Sequence, residues 1–272
     1  MNMTGRLFVV MAGVGALAYS AQAENVVYLK NGRTLSGKTL EWKEVAQEYV
    51  ISTGETTMPI PRAQVAKITA DKPAEFDQAA GLVKSRLFGQ AIPALEAIVK
   101  KYRMMNWDVE AGKLLAQAYL ETNDPKKAVA TMENLFSVVS RDQVAISLQM
   151  TYWKALLSSG ADAQLRKELD QVIGAGTSEM AAAAYLMRGT MFLKTGEEDA
   201  ALSDFLKLTT LFQSQKAVQP EALFRAAELL DKARDSRGAE LRKKLTQEYP
   251  GNEFAVKAAA KPIAAPAPAK KP

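Results

Sequence analysis

Two residue types that often carry protein chemistry are missing from this chain of 272 residues, which has no histidine and no cysteine. Without histidine there is no imidazole to act as general base, as a transition-metal ligand or as the middle of a Ser-His-Asp triad. Without cysteine there is no thiol nucleophile, no zinc-thiolate site and no disulfide. No P-loop and no paired-glycine dinucleotide fingerprint occurs, since the close pair Gly13 and Gly15 sits in an apolar N-terminal run. The expectation is a non-enzyme with no catalytic residue, no metal and no cofactor.

The remaining candidates are few. Glu197-Glu198-Asp199 could attract a hard cation, but it lacks the spaced ligands of a calcium loop and reads as negative charge at a helix start, where the helix dipole favours it. Ser158 or Ser159 could join a lysine in a dyad, yet both directly precede Gly160 in an expected interhelical turn. Trp107 and Trp153 could stack on a ligand and read more simply as packing residues. The chemistry that fits best is recognition of another chain. A surface of mixed polar and apolar positions on successive helices would serve for that. This mixed surface could hold an extended or helical peptide, although each residue taken alone also reads as an ordinary solvated helix position.

Such a face needs a scaffold of repeated helices. Beyond Pro73 the apolar residues follow the helical period, and a small residue recurs early in each second helix: Ala91, Ala128, Ala163, Ala201 and Ala239, separated by 37, 35, 38 and 38 residues. The fourth unit carries Gly189, Phe192, Gly196, Ala201, Phe205 and Leu208. The second carries Ala116, Tyr119, Ala128, Met132 and Leu135. In the third, Thr151 stands where a small residue is expected, and in the fifth Lys243 stands where an aromatic is expected. Asn123-Asp124-Pro125, Gly196-Glu197 and Pro220 mark helix starts, while Tyr249-Pro250-Gly251-Asn252 reads as the end of the last helix.

This pattern of small and large residues resembles the tetratricopeptide repeat (TPR) family. The resemblance implies a right-handed superhelix of about five hairpins whose first helices line a groove, and the positions that would face it here are Lys113, Gln117, Gln149, Tyr152, Thr190, Arg225 and Glu228. From Ala184 to Pro250 the chain is similar to the Tol-Pal-associated cell-division coordinator family among periplasmic TPR proteins, with a Tyr…Gly…Ala-Leu…Phe hairpin followed by Pro-Glu-Ala-Leu…Tyr-Pro. That likeness implies an envelope scaffold. No heptads stand in place of the coiled coil that family uses for trimerisation.

Ahead of the helices, residues 24–70 are strand-like. Val26 to Leu29 runs into Asn31-Gly32, a pair suited to a two-residue hairpin. A second strand spans about 33–42, with Gly37 as a bulge or bend, and Tyr49–Ile51, Thr56–Ile60 and Val65–Ile68 complete about five strands. Pro59 and Pro61 restrict the fourth to an edge. The segment resembles a small SH3-like or Sm-like barrel.

The N-terminus reads as a signal peptide spanning 1–23. One charge in Met1 to Arg6 precedes an apolar run from Leu7 to Ala18 and then Ala21-Gln22-Ala23. Cleavage near Ala23/Glu24 would place the protein in a periplasm or outside the cell; an uncleaved anchor is the alternative. No later segment is apolar enough to span a bilayer. The formal charge of +5 comes from Arg6 and four lysines in residues 257–272 (Lys257, Lys261, Lys270 and Lys271), so the body is near neutral and nucleic acid is not an expected partner. That alanine-, proline- and lysine-rich end reads as a disordered tail, either solubilising or weakly attracted to anionic envelope surfaces.

The expected protein is thus mainly α, a helical repeat domain at 73–256 behind a small β module. It would act as a periplasmic scaffold or adaptor for a protein or peptide partner. The alternatives are a structural subunit assembled through the β module and an enzyme of unfamiliar chemistry.

Overall fold

A computed structural model describes residues 25–137 and 145–260. The expected signal peptide and residues 261–272 of the expected tail lie outside these. The chain divides into two compact units, Met1–Asp71 and Lys72–Pro272.

The first unit holds six strands: β1 (Asn25–Leu29), β2 (Thr34–Gly37), β3 (Thr39–Lys43), β4 (Glu48–Ser52), β5 (Thr57–Pro61) and β6 (Val65–Thr69). They form two three-stranded antiparallel sheets, ordered β2-β1-β6 and β3-β4-β5. Alternation buries Val27, Leu29, Leu40, Tyr49, Ile51, Ile60, Val65 and Ile68. The expected five strands become six because the single strand over 33–42 breaks at Gly37. A Cβ there would come within 2.6 Å of Ile51 Cγ1 and 2.7 Å of the Ser52 carbonyl oxygen. Glycine therefore lets the chain turn from one sheet into the other, and the Lys38 N–H then donates to Ser52 O at 2.7 Å. No ladder closes the two sheets into one barrel among the described residues. The Asn31-Gly32 turn also differs from the two-residue expectation. Leu29 N–H donates to Arg33 O at 2.9 Å, enclosing three residues, of which only Gly32 (φ 84°) is left-handed. β5, with both prolines, lies at a sheet edge as expected.

The second unit is helical: α1 (Phe76–Lys84), α2 (Phe88–Lys101), α3 (Trp107–Glu121), α4 (Pro125–Phe136), α5 (Ile146–Ser159), α6 (Asp162–Ala175), α7 (Ser178–Thr195), α8 (Glu198–Leu211), α9 (Gln219–Lys232), α10 (Arg237–Glu248) and α11 (Glu253–Ala260). Each packs on the next; in addition α1 touches α3, α3 touches α5, α5 touches α7 and α9 touches α11. One apolar core runs through the unit from Ala79 to Ala226, and a second cluster of Leu223, Phe224, Leu245, Ala255 and Ala258 finishes its C-terminal end. No helix among the described residues is long and apolar enough to cross a membrane.

Five hairpin turns repeat one backbone device. Arg86, Asn123, Gly160, Gly196 and Arg234 all adopt positive φ, between 56° and 82°, at spacings of 37, 37, 36 and 38 residues. After each, an N–H donates back to a carbonyl five residues earlier: Leu87 to Leu82, Asp124 to Tyr119, Ala161 to Leu156, Glu197 to Phe192 and Asp235 to Leu230, at 2.8 to 3.0 Å. This closure satisfies carbonyls that a helix end would otherwise leave unpaired.

The turns fix the register of the repeat, and two hairpins depart from the expected one. In the first, second and fourth, small residues fill the equivalent buried positions: Ala79 with Ala91, Ala116 with Ala128, Gly189 with Ala201. In the third, those positions hold Trp153 and Leu165, both fully buried, whereas Ala163 is exposed. Thr151, expected to replace the small residue, is buried with its hydroxyl bonded to Ser147 O at 2.9 Å. The large pair keeps α5 and α6 apart, and they approach over a shorter stretch than the helices of the other pairs. In the fifth, the buried face of α10 is shifted by one residue. Gly238 replaces Ala239 as the buried small residue, and Arg242 rather than Lys243 takes the large position, paired with Asp231.

The C-terminal end is also longer than expected. Tyr249 to Asn252 closes α10 but not the helical unit. Gly251 (φ 84°) turns the chain, Asn252 Oδ1 accepts from Phe254 N–H at 3.0 Å, and α11 follows to Ala260. Residues 257–260 are therefore helical, held by the Lys257–Glu253 pair at 2.8 Å and by burial of Ala255 and Ala258.

Candidate binding face

All seven residues expected on the groove lie on odd-numbered helices: Lys113 and Gln117 on α3, Gln149 and Tyr152 on α5, Thr190 on α7, Arg225 and Glu228 on α9. Contacts between consecutive odd helices bring those of α3, α5 and α7 onto neighbouring helices, and α9 joins through α8. Gln117 is exposed, while Lys113, Gln149, Thr190, Arg225 and Glu228 are half-buried. The Thr190 hydroxyl is turned back onto Leu186 O at 2.8 Å. Arg225 sits between Glu221 and Glu228 at 3.6 and 3.7 Å.

Tyr152 is not on that face. Its side chain is 1 % exposed and packs edge-on to Phe136. Its hydroxyl donates to Glu133 at 3.3 Å and accepts from Gln164 Nε2 at 2.9 Å. The reason is the register of the third hairpin, which the alignment on Ala163 misplaces by two residues. Counted from the turns, the position of Gln117, Thr190 and Glu228 falls on α5 at Lys154, which is exposed. Aligning Gly160 with Gly196 instead of matching alanines finds Lys154 from sequence.

The same register exposes a row that polarity alone conceals. The residue after each turn-closing carbonyl is Val83, Leu120, Leu157 and Leu193 in hairpins one to four, all half-buried, and Asp231 in the fifth. This aliphatic row follows the C-terminal ends of α1, α3, α5 and α7. One side of the row is the buried core. On the other, polar side of these helices lie Gln117, Lys154 and Thr190, three residues earlier, and, one residue later, the exposed Lys84, Glu121, Ser158, Lys194 and Lys232. Several of these last residues stitch adjacent hairpins together: Arg86 to Glu121 at 2.6 Å, Lys194 to Asp162 at 3.5 Å and Lys232 to Glu198 at 2.5 Å. Such exposed pairs contribute about 0–1 kcal/mol each, so they set register more than stability. Lys113 and Lys154 form no ion pair among the described residues.

A second polar cluster joins α6, α7 and α8 around Arg188. Its guanidinium donates two parallel bonds to Asp204, at 2.7 and 3.0 Å, and a third to Asp170 at 2.7 Å. Asp204 is 2 % exposed. The bonds to Asp204, the larger cause, and to Asp170 push Arg188 further up from its already high pKa, so the cation is fixed. Arg188 also lies over Tyr185 at 5.2 Å and Phe192 at 5.9 Å, with Arg166 over Phe192 at 5.0 Å. Every carboxylate of the cluster has a cationic partner, as expected of a tie between helices.

The other candidates have structural places. Glu197 precedes α8 and Glu198 and Asp199 lie in its first turn. The Ser159 hydroxyl donates to Leu156 O at 2.9 Å. Trp107 packs at a tilt against Phe76, with ring centroids 5.1 Å apart, and Trp153 is fully buried. No group of three acidic side chains is placed to hold a metal ion among the described residues. No protein-family model matches the chain, and no curated protein matches it.

Proposed function

We propose that this chain is a non-enzymatic scaffold of the bacterial cell envelope, a TPR-like superhelix that holds a protein or peptide partner along the first helices of its hairpins. The observation that carries this reading is the repeated turn. Five equivalent closures give the first helices one common register, so side chains from successive hairpins line up as rows along one face. Stacked hairpins of this kind bury their apolar sides on each other and leave such a face to a ligand. The export signal read in residues 1–23 supports the periplasm, and the six strands support an SH3/Sm-like module in front. Photo-crosslinkers at Lys154 and Arg225, with exposed Ala163 as control, test the proposal in cells. Adducts from the first two but not from the control are expected; adducts only from the control would refute it. Intact mass of the exported protein checks the start near Glu24.

A second reading, a structural subunit assembled through the β module, draws on Tyr28 and Met58, which are 39 % and 48 % exposed there. Pull-down from envelope extracts with and without residues 24–70 separates the two. Loss of every partner on that truncation assigns assembly to the module.

A further inference from the structure

We infer that the partner segment is an extended, polyproline-like strand with an apolar side chain at every third residue and an acidic residue near its middle. This rests on the proposed binding role of the first helices and specifies its ligand.

Val83, Leu120, Leu157 and Leu193 recur once per hairpin, on helices that contact one another in sequence. Packed helices lie about 8–10 Å apart, and a polyproline-type chain advances about 3.1 Å per residue. Three residues of such a chain therefore span one rung to the next, and about ten residues cover the row. The row is a single file of half-buried aliphatics that borders the buried core on one side and polar positions on the other. An amphipathic helix would need a wider apolar surface, because its own stripe covers 100° or more of its circumference. The charge follows from Lys113 and Lys154, on the adjacent helices α3 and α5. Both lack an ion pair among the described residues, while Lys194 and Lys232 are each engaged with a carboxylate of the preceding hairpin. A carboxylate seated at the centre of the ligand would complete them.

The test uses fluorescence polarisation with the full mature chain and four synthetic peptides of about twelve residues. The first has leucine at every third position among proline and serine, with one central aspartate. The second has the same composition with leucine at every fourth position, the third replaces the aspartate by lysine, and the fourth is an amphipathic helix former. The first should bind about fivefold or more tightly than the second, the size of one anchor's loss. Leu157→Gln should weaken the first peptide, and Lys154→Glu should reverse the preference between the first and third. Lys154 is exposed, so that variant does not depend on core packing. Equal binding of the first two peptides, preference for the helix former, or affinities unmoved by both variants would overturn the inference. If those results arise while crosslinkers at Lys154 still retrieve a partner, the extended-ligand inference falls and the binding role stands. Silence in both experiments removes both.

Discussion

Trp153 on α5 and Leu165 on α6 occupy, in the third hairpin, the buried positions that alanine or glycine fills in the first, second and fourth. The hairpin is wedged open at its middle and relies on its neighbours, with Tyr152 packed against Phe136 of α4. The Trp153 indole N–H is buried and has no hydrogen-bond partner among the described residues. Trp153→Ala should therefore cost about 3–5 kcal/mol, the range for emptying a large aromatic site. Trp153→Phe should cost less than half as much, because it also removes an unsatisfied donor. Urea unfolding of the three proteins measures this, and equal losses for Phe and Ala would show that the indole makes a bond absent from the structure.

The Arg188–Asp204 pair predicts strong non-additivity. Asp204→Ala leaves a mostly buried guanidinium with half-exposed Asp170 as its remaining carboxylate among the described residues. Breaking a buried pair from one side costs about 3–5 kcal/mol. Replacing both residues by leucine should cost less than either single truncation. A double-mutant cycle on unfolding free energies checks the sign of the coupling.

Asp108 should make stability depend on pH. Burial raises its carboxyl above the ordinary aspartate value, against hydrogen bonds from backbone N–H groups that include Met104 at 2.8 Å. A group raised on folding contributes stability that is complete below its unfolded pKa, about 3.9, and lost as pH rises through the folded value. Asp108→Asn keeps an acceptor for Met104 and cannot ionise. The mutant should thus gain on the wild type as pH climbs from 3 to 7. A constant difference across that range would mean that the carboxylate is solvated when folded.

Gly189→Ala should destabilise despite alanine's better helix propensity of about 1 kcal/mol. A Cβ at this site would stand 2.7 Å from Phe205 Cε1, and Phe205 is fully buried. Overpacking of this kind costs about 1–3 kcal/mol. Thermal melts of Gly189→Ala beside Gly174→Ala, whose Cβ meets nothing, isolate the effect: the first should fall and the second should hold or rise.

The helix pairs were legible because their punctuation is chemical. Asp124 does cap α4, accepting from Lys127 N–H at 3.4 Å, with Pro125 at its start, and Pro220 does open α9. What failed was alignment by residue size. A small-residue rule cannot see Trp153, and it prefers a nearby alanine that faces solvent. Likewise Arg242 is charged by composition yet buried, because Asp231 neutralises it and its stem packs. In the β unit, the break at Gly37 depends on Ile51 and Ser52, fourteen and fifteen residues away, which no local pattern reveals. For the proposed binding face, Gln117, Thr190 and Glu228 share one position in the turn register. Lys154 was missed because its hairpin was misaligned, and the aliphatic row because half-buried leucines look like core.

Helix α11 lies against Leu223, Phe224 and Leu245 with the alanine side of a helix that shows water Glu253, Lys257 and one lone valine. It covers the apolar ends of α9 and α10. Shorn of these eight residues, the same helices would bare Leu223, Phe224 and Leu245 to water and stick to their neighbours in solution.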